Sequence, residues 1–175
     1  RMNAVVYLRS DTVTRPTAAM RAAIAAAEVG DEQLREDPSV NALQERAAAL
    51  LGQEAALFLP TATMANQIAL RLHTRPGDVL LAEELSHVMV YEFGGAALHA
   101  GLVMRGIAGS GGRLAPEQIE AIDVPGPSSV DQRPTLLCLE TTHNSAGGRC
   151  WPPEGLAAVV AAAHAKGLAV HLDGA

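Results

Sequence analysis

The chain has 175 residues, 49% of them apolar and only 3% aromatic, with a net charge of −6. That length supports one domain with a real core, built from Ala, Leu and Val rather than rings. An acidic balance without a basic run argues against nucleic acid as a partner, the apolar runs are far short of a membrane span, and Arg1-Met2-Asn3 does not open a signal peptide.

In chain order, Val5–Leu8 reads as a short extended segment, and Arg9–Pro16 is polar and turn-like. Thr17–Ala27 reads as an alanine-rich helix with Met20 and Ile24 on one face, ended by Gly30. Asp31–Glu36 is a charged loop. Asp37-Pro38 is a cap followed by a first-turn proline, and Leu43, Ala47, Leu50 and Leu51 form the expected buried face of a second helix ending at Gly52.

A strand–helix rhythm follows. Strands are expected at Ala55–Leu59, Val79–Ala82, Leu102–Ile107, Thr135–Leu139 and Leu168–Leu172. Helices are expected at Met64–Leu72, Ser86–Glu92, Pro116–Ile122 and Pro153–Lys166. This alternation predicts an α/β fold, a mostly parallel sheet flanked by helices. Pro and Gly clusters fall between the elements, and residues 125–134 read as the mobile loop.

Asp173 stands at the carboxyl end of the last predicted strand, where ligands bind in open parallel sheets. A carboxylate there suits a protonated pyridine nitrogen, and it equally suits the cap of a following helix. Thr61-Ala62-Thr63 lies between a strand and a helix, where backbone N–H groups and hydroxyls form an anion site or an ordinary N-cap. His87 and His143 also follow strand ends, so all these residues are expected on one edge of the sheet. His171 alternates with core positions and reads as a hydrogen-bonded structural residue, while His73, His99 and His164 read as surface or packing residues. The histidines and the two cysteines, Cys138 and Cys150, lack metal-ligand spacing, so no metal site is expected. No serine sits in a hydrolase elbow. Two unpatterned thiols point to a reducing cytoplasm. Lys166 is the only lysine.

The residues Leu8–Pro16, Val29-Gly30-Asp31, Asp37–Asn41, Phe58–Asn66, His87, Gly94-Gly95, Glu140–Asn144 and His171–Ala175 together resemble the threonine aldolases. These are pyridoxal 5′-phosphate (PLP) enzymes of the β-eliminating lyase group with the fold type I large domain. The resemblance implies that Ala62 and Thr63 hold the cofactor phosphate, His87 stacks on its ring and Asp173 pairs with its nitrogen. It further implies that Ser10 binds the substrate carboxylate and that His143 lies near the substrate β-hydroxyl. His143, His87 and Asp173 are then the catalytic candidates. The implied reaction is cleavage of a β-hydroxy-α-amino acid to glycine and an aldehyde in a homodimer or homotetramer. The alternatives are another PLP-dependent β-eliminating lyase or a non-catalytic chain of this fold.

Three departures stand out. Ala62 replaces the family's usual glycine, which matters wherever φ must be positive. The family's Asp-x-Tyr-Gly loop carries Leu34 and Arg35 in place of Tyr and Gly. The sequence also holds no counterpart of the cofactor-binding lysine, so residues 1–175 are expected to supply an N-terminal segment and most of the large domain, without the small C-terminal domain.

Overall fold

The computed structural model describes residues 6, 7, 10–126 and 129–174, without the side chain of Asp11. The chain forms two compact units, Arg1–Phe58 and Leu59–Ala175. Of the expected Val5–Leu8 segment only Val6 and Tyr7 are described, and they carry no regular element. Pro127 and Ser128 of the expected mobile loop lie outside the described residues.

In the first unit, helix α1 spans Ala18–Ala26, with the Thr17 hydroxyl accepting the Met20 N–H at its start. The helix ends at Ala27, not at Gly30. Gly30 instead permits a close backbone approach, since a Cβ there would sit 2.3 Å from the Glu36 carbonyl oxygen. Helix α2 spans Pro38–Leu51, with Gly52 closing it at φ +63°. Asp37 caps it by accepting N–H bonds from Val40 and, on its other oxygen, from Gly30. Those backbone donors, Val40 first, hold the Asp37 carboxyl below its ordinary range. The expected buried face of α2 is not buried, with Leu50 83% and Leu51 68% exposed, and Ile24 on the apolar side of α1 is 69% exposed. Helical periodicity shows which side is apolar, while cover comes from non-local packing.

Ala55–Leu59 is not a strand. The Phe58 N–H donates to the Gln44 side chain at 2.9 Å instead of a neighbouring strand. A short turn, Glu32–Leu34, precedes Arg35, which adopts φ +59°. The family's glycine position is thus occupied by a residue that carries the left-handed strain itself.

The second unit is a parallel four-stranded sheet in the order β2-β1-β3-β4. Its strands are β1 Val79–Glu83, β2 Val103–Ile107, β3 Pro134–Glu140 and β4 Ala169–Asp173. Its helices are α3 Ala62–His73, α4 His87–Val90, α5 Gly95–Ala100, α6 Pro116–Glu120 and α7 Pro153–Ala165. Alternate side chains of each central strand enter opposite layers. Val79, Leu81, Leu137 and Leu139 pack with Ile119, Val159 and Ala163. Leu80, Ala82, Leu136 and Cys138 pack with Leu70, Val88, Ala96 and Ala100. Truncating a buried leucine such as Leu137 in such a core costs about 2–5 kcal/mol.

Helix α5 has no counterpart among the expected helices, and no side chain caps its start. Gly94 instead enters the helix at φ +71°, and a Cβ at Gly95 would lie 2.7 Å from the Gln67 side chain. Among the described residues no helix is long and apolar enough to cross a membrane.

Candidate active site

The sheet's connections reverse direction between β1 and β3. Such a reversal opens a crevice at the carboxyl edge. Three neighbouring strands end there in acids, Glu83, Glu140 and Asp173, all buried. A buried carboxylate needs donors, and each of these has them.

Glu140 accepts the His87 N–H at 2.6 Å and the Asn144 N–H at 2.8 Å. It therefore pins the start of α4 and the turn after β3. Glu83 accepts the Leu85 N–H at 2.7 Å and lies 3.0 Å from His143 Nε2. His143 is 1% exposed, and its Nδ1 accepts the Ala146 N–H at 3.2 Å. With Nδ1 accepting, the proton of the neutral ring sits on Nε2 and goes to Glu83. Both ring nitrogens of His143 are thus engaged.

Asp173 is tied to α3. Asn66 Nδ2 donates to Asp173 Oδ2 at 2.8 Å and to Glu92 Oε1 at 2.7 Å. Asn66 lies one helical turn beyond Ala62 and Thr63, so the hydrogen bond joins Asp173 to the same helix whose first turn those residues form. The Thr61 hydroxyl accepts the Met64 N–H at 3.1 Å and so acts as the N-cap. Ala62 and Thr63 supply first-turn N–H groups, which have no partner inside a helix. Ala62 is the first residue of the helix and is not among the residues of positive φ. The methyl group in place of the family's glycine therefore meets no backbone strain.

His87 is half-buried on α4, with Nδ1 3.0 Å from Glu92 Oε1 and its ring 5.5 Å from that of Tyr91. His171 Nε2 lies 2.9 Å from Asn66 Oδ1, matching its expected structural role. Burial lowers the His171 pKa, partly offset by Asp173. His73, His99 and His164 are exposed. The structure thus brings Ala62, Thr63, His87, His143 and Asp173 to one sheet edge. Ser10 belongs to the first unit, where its hydroxyl accepts from Thr12 at 2.9 Å. His87, Glu92 and Asp173 converge within 4.8 Å, close enough for a metal ion.

The β-eliminating lyase family model matches residues 7–175. The chain belongs to the β-eliminating lyase family. It is 42% identical to low-specificity L-threonine aldolase 1 of Arabidopsis thaliana over 97% of this chain and 48% of that protein. It is 40% identical to the low specificity L-threonine aldolase of Escherichia coli K12 over 98% of this chain and 50% of that protein. The solved threonine aldolase of Leishmania major matches with a TM-score of 0.68 at 23% identity, over 78% of this chain and 40% of that one. The chain spans about half the length of the curated relatives it matches. Its fold is that of the PLP-dependent fold type I enzymes.

Within this β-eliminating lyase chain, sequence reasoning missed Asn66, Glu83, Glu92 and Glu140. A signal was present: Val-Leu-Leu-Ala-Glu, Leu-Leu-Cys-Leu-Glu and Ala-Val-His-Leu-Asp are apolar runs that each end in an acid. Adjacent parallel strands align those acids, as the Glu140–Asp173 register shows.

Proposed function

We propose that this chain supplies the cofactor-binding half of a PLP-dependent aldehyde-lyase. Its substrate is a β-hydroxy-α-amino acid of threonine or allo-threonine type, and its products are glycine and an aldehyde. The observation that carries this reading is the Asn66–Asp173 bond, which ties a strand-end carboxylate to a helix start. The cofactor needs an anion site and, across one pyridine ring, a carboxylate. The α3 first-turn amides and Asp173 have that chemistry, and Asn66 joins Asp173 to the same helix.

When bound, the cofactor supplies an electron sink for the pair released at the substrate Cα. Ala62 and Thr63 donate backbone N–H groups to its phosphate. Asp173 keeps the ring nitrogen protonated through Oδ1, since Oδ2 already accepts from Asn66. His87 packs on the ring face, its Nδ1–H held by Glu92.

Cleavage requires the β-hydroxyl to lose a proton, and an imidazole is suited to accept it at neutral pH. His143 is the candidate acceptor, acting directly or through a water, and Nδ1, which accepts the Ala146 N–H, is its nitrogen without a proton. Lys166 is not the cofactor-binding lysine: it closes α7 and donates from Nζ to the Ile122 carbonyl at 2.8 Å. It lies three residues before β4, and that five-residue strand, about 16 Å of extended chain, separates it from Asp173. A lysine outside residues 1–175, together with a small C-terminal domain, completes the site. The working assembly is a cytoplasmic homodimer or homotetramer.

The test is to purify the intact protein with PLP and supply L-threonine and L-allo-threonine. Cofactor absorbance with equal release of glycine and acetaldehyde is expected. Cofactor binding with neither product would overturn the aldolase reading and leave another reaction of the family.

A further inference from the structure

Glu92 and Asp173, two acids from different elements, share one amide. Glu92 is 3% exposed, Asn66 4% and Asp173 6%. One N–H of Asn66 goes to Glu92 and the other to Asp173, at 2.7 and 2.8 Å. Flipping the amide would set its oxygen against two carboxylate oxygens, so the acids fix its orientation. The carbonyl then has to accept, and its partner His171 Nε2 has to carry the proton. The low pKa imposed by burial keeps that ring neutral.

The network extends outward from Glu92. Its Oε1 accepts from Asn66 and His87 Nδ1, and its Oε2 accepts from Gln67 Nε2. An acceptor-only carboxylate requires His87 to carry a proton on Nδ1, which leaves Nε2 for the cleft.

We infer that Asn66, acting with Glu92, is a positioning unit. It holds Asp173 by Oδ2, so that Oδ1, which accepts no hydrogen bond among the described residues, is left for a ring nitrogen, and it sets the protonated nitrogen of His87. The cofactor part of this inference rests on the proposed PLP function; the proton placement does not.

The experiment uses the intact protein, with and without PLP. In the cofactor-free protein, ¹⁵N NMR of the histidine rings should show His171 protonated at Nε2 only and His87 protonated at Nδ1. The opposite proton placement on either ring in the unmodified protein would overturn the inference, and no variant is needed to see it. In the loaded protein, Asn66→Leu keeps the shape and removes all three hydrogen bonds. It should lower kcat about 10- to 100-fold, the range for losing a bond to a charged group. KM should change less than about threefold on the same scale, and the pH at which the bound cofactor's absorbance shifts should move. Unchanged kcat and an unchanged absorbance titration would contradict the positioning role. Should Asn66→Leu fail to fold, Asn66→Ala, a strong helix former that also removes the three bonds, is read in the same way. An unmodified protein that takes up no PLP would sink the function proposed above, while the ring tautomers would still decide the network.

Discussion

His143 Nε2 lies 3.0 Å from Glu83 Oε2, and both side chains are buried. The loop after β2 closes over them. A Cβ at Gly112 would sit 2.3 Å from His143 Cγ, and one at Gly109 would sit 2.5 Å from Glu83 Cγ. The pair brackets the end of β1, the loop after β2 and the turn after β3.

Gly112→Ala should therefore be strongly destabilising. Gly112 has φ +77°, and its missing side chain is where the imidazole packs. Left-handed strain and overpacking together come to about 2–4 kcal/mol. Urea unfolding of the intact protein measures this; a loss below 0.5 kcal/mol (roughly the noise of surface substitutions) would show that the loop gives way.

Proton transfer separates the two site histidines. Glycine can lose an α-proton on the same cofactor but has no β-hydroxyl. His143→Asn should depress cleavage of a β-hydroxy amino acid by about 10²–10⁴-fold and glycine α-proton exchange far less. His87→Asn should depress both. NMR follows the two rates in each variant. Equal losses for His143→Asn, with a lower melting temperature, would confine His143 to the bracket with Glu83.

The sheet was legible because β1 to β4 are short apolar runs set off by turns and helices, and periodicity reports that directly. Asp173 and His87 were legible because a strand end at a sheet edge is a place where function is expected. Ala55–Leu59 was not: its composition suits a strand, but strand pairing is a non-local fact, and the Phe58 N–H goes to Gln44. The apolar face of α2 was visible, its exposure was not. Asn66 was hidden for another reason. Its importance comes from Glu92 and Asp173, 26 and 107 residues away.

Arg35 offers a stabilising change. It holds φ +59°, with its carbonyl accepting the Asn41 side-chain N–H at 2.8 Å. Arg35→Gly keeps that backbone bond and relieves left-handed strain, so stability should rise by about 1 kcal/mol after the entropy cost of glycine. Thermal unfolding tests this, and a lower melting temperature would mean that the Arg35 side chain contributes more than its backbone costs.

His171 gives a pH dependence whose sign follows from burial. Its pKa in the fold lies below the ordinary value. As pH falls through about 6.5, the unfolded chain takes up a proton that the folded ring refuses. Stability should thus decline below that pH, down to the folded-state pKa. Urea unfolding at pH 7.5 and 5.5, for the protein and for His171→Gln, isolates the contribution of this ring. The variant should lose less stability on acidification; an equal or greater loss would contradict the placement of a neutral His171 beside Asn66.

The most direct measurement is the turnover of Asp173→Asn in the intact protein at saturating PLP. Asparagine keeps the size of the side chain and an oxygen to accept from Asn66, and it removes only the charge offered to the ring nitrogen. The proposed function predicts that kcat for cleavage of a β-hydroxy amino acid falls by about 10²–10³-fold, as for other groups that meet charge developing in the transition state. PLP affinity should fall far less, because the phosphate contacts of α3 remain. Near-normal kcat would contradict the account and reduce Asp173 to a buried structural acid.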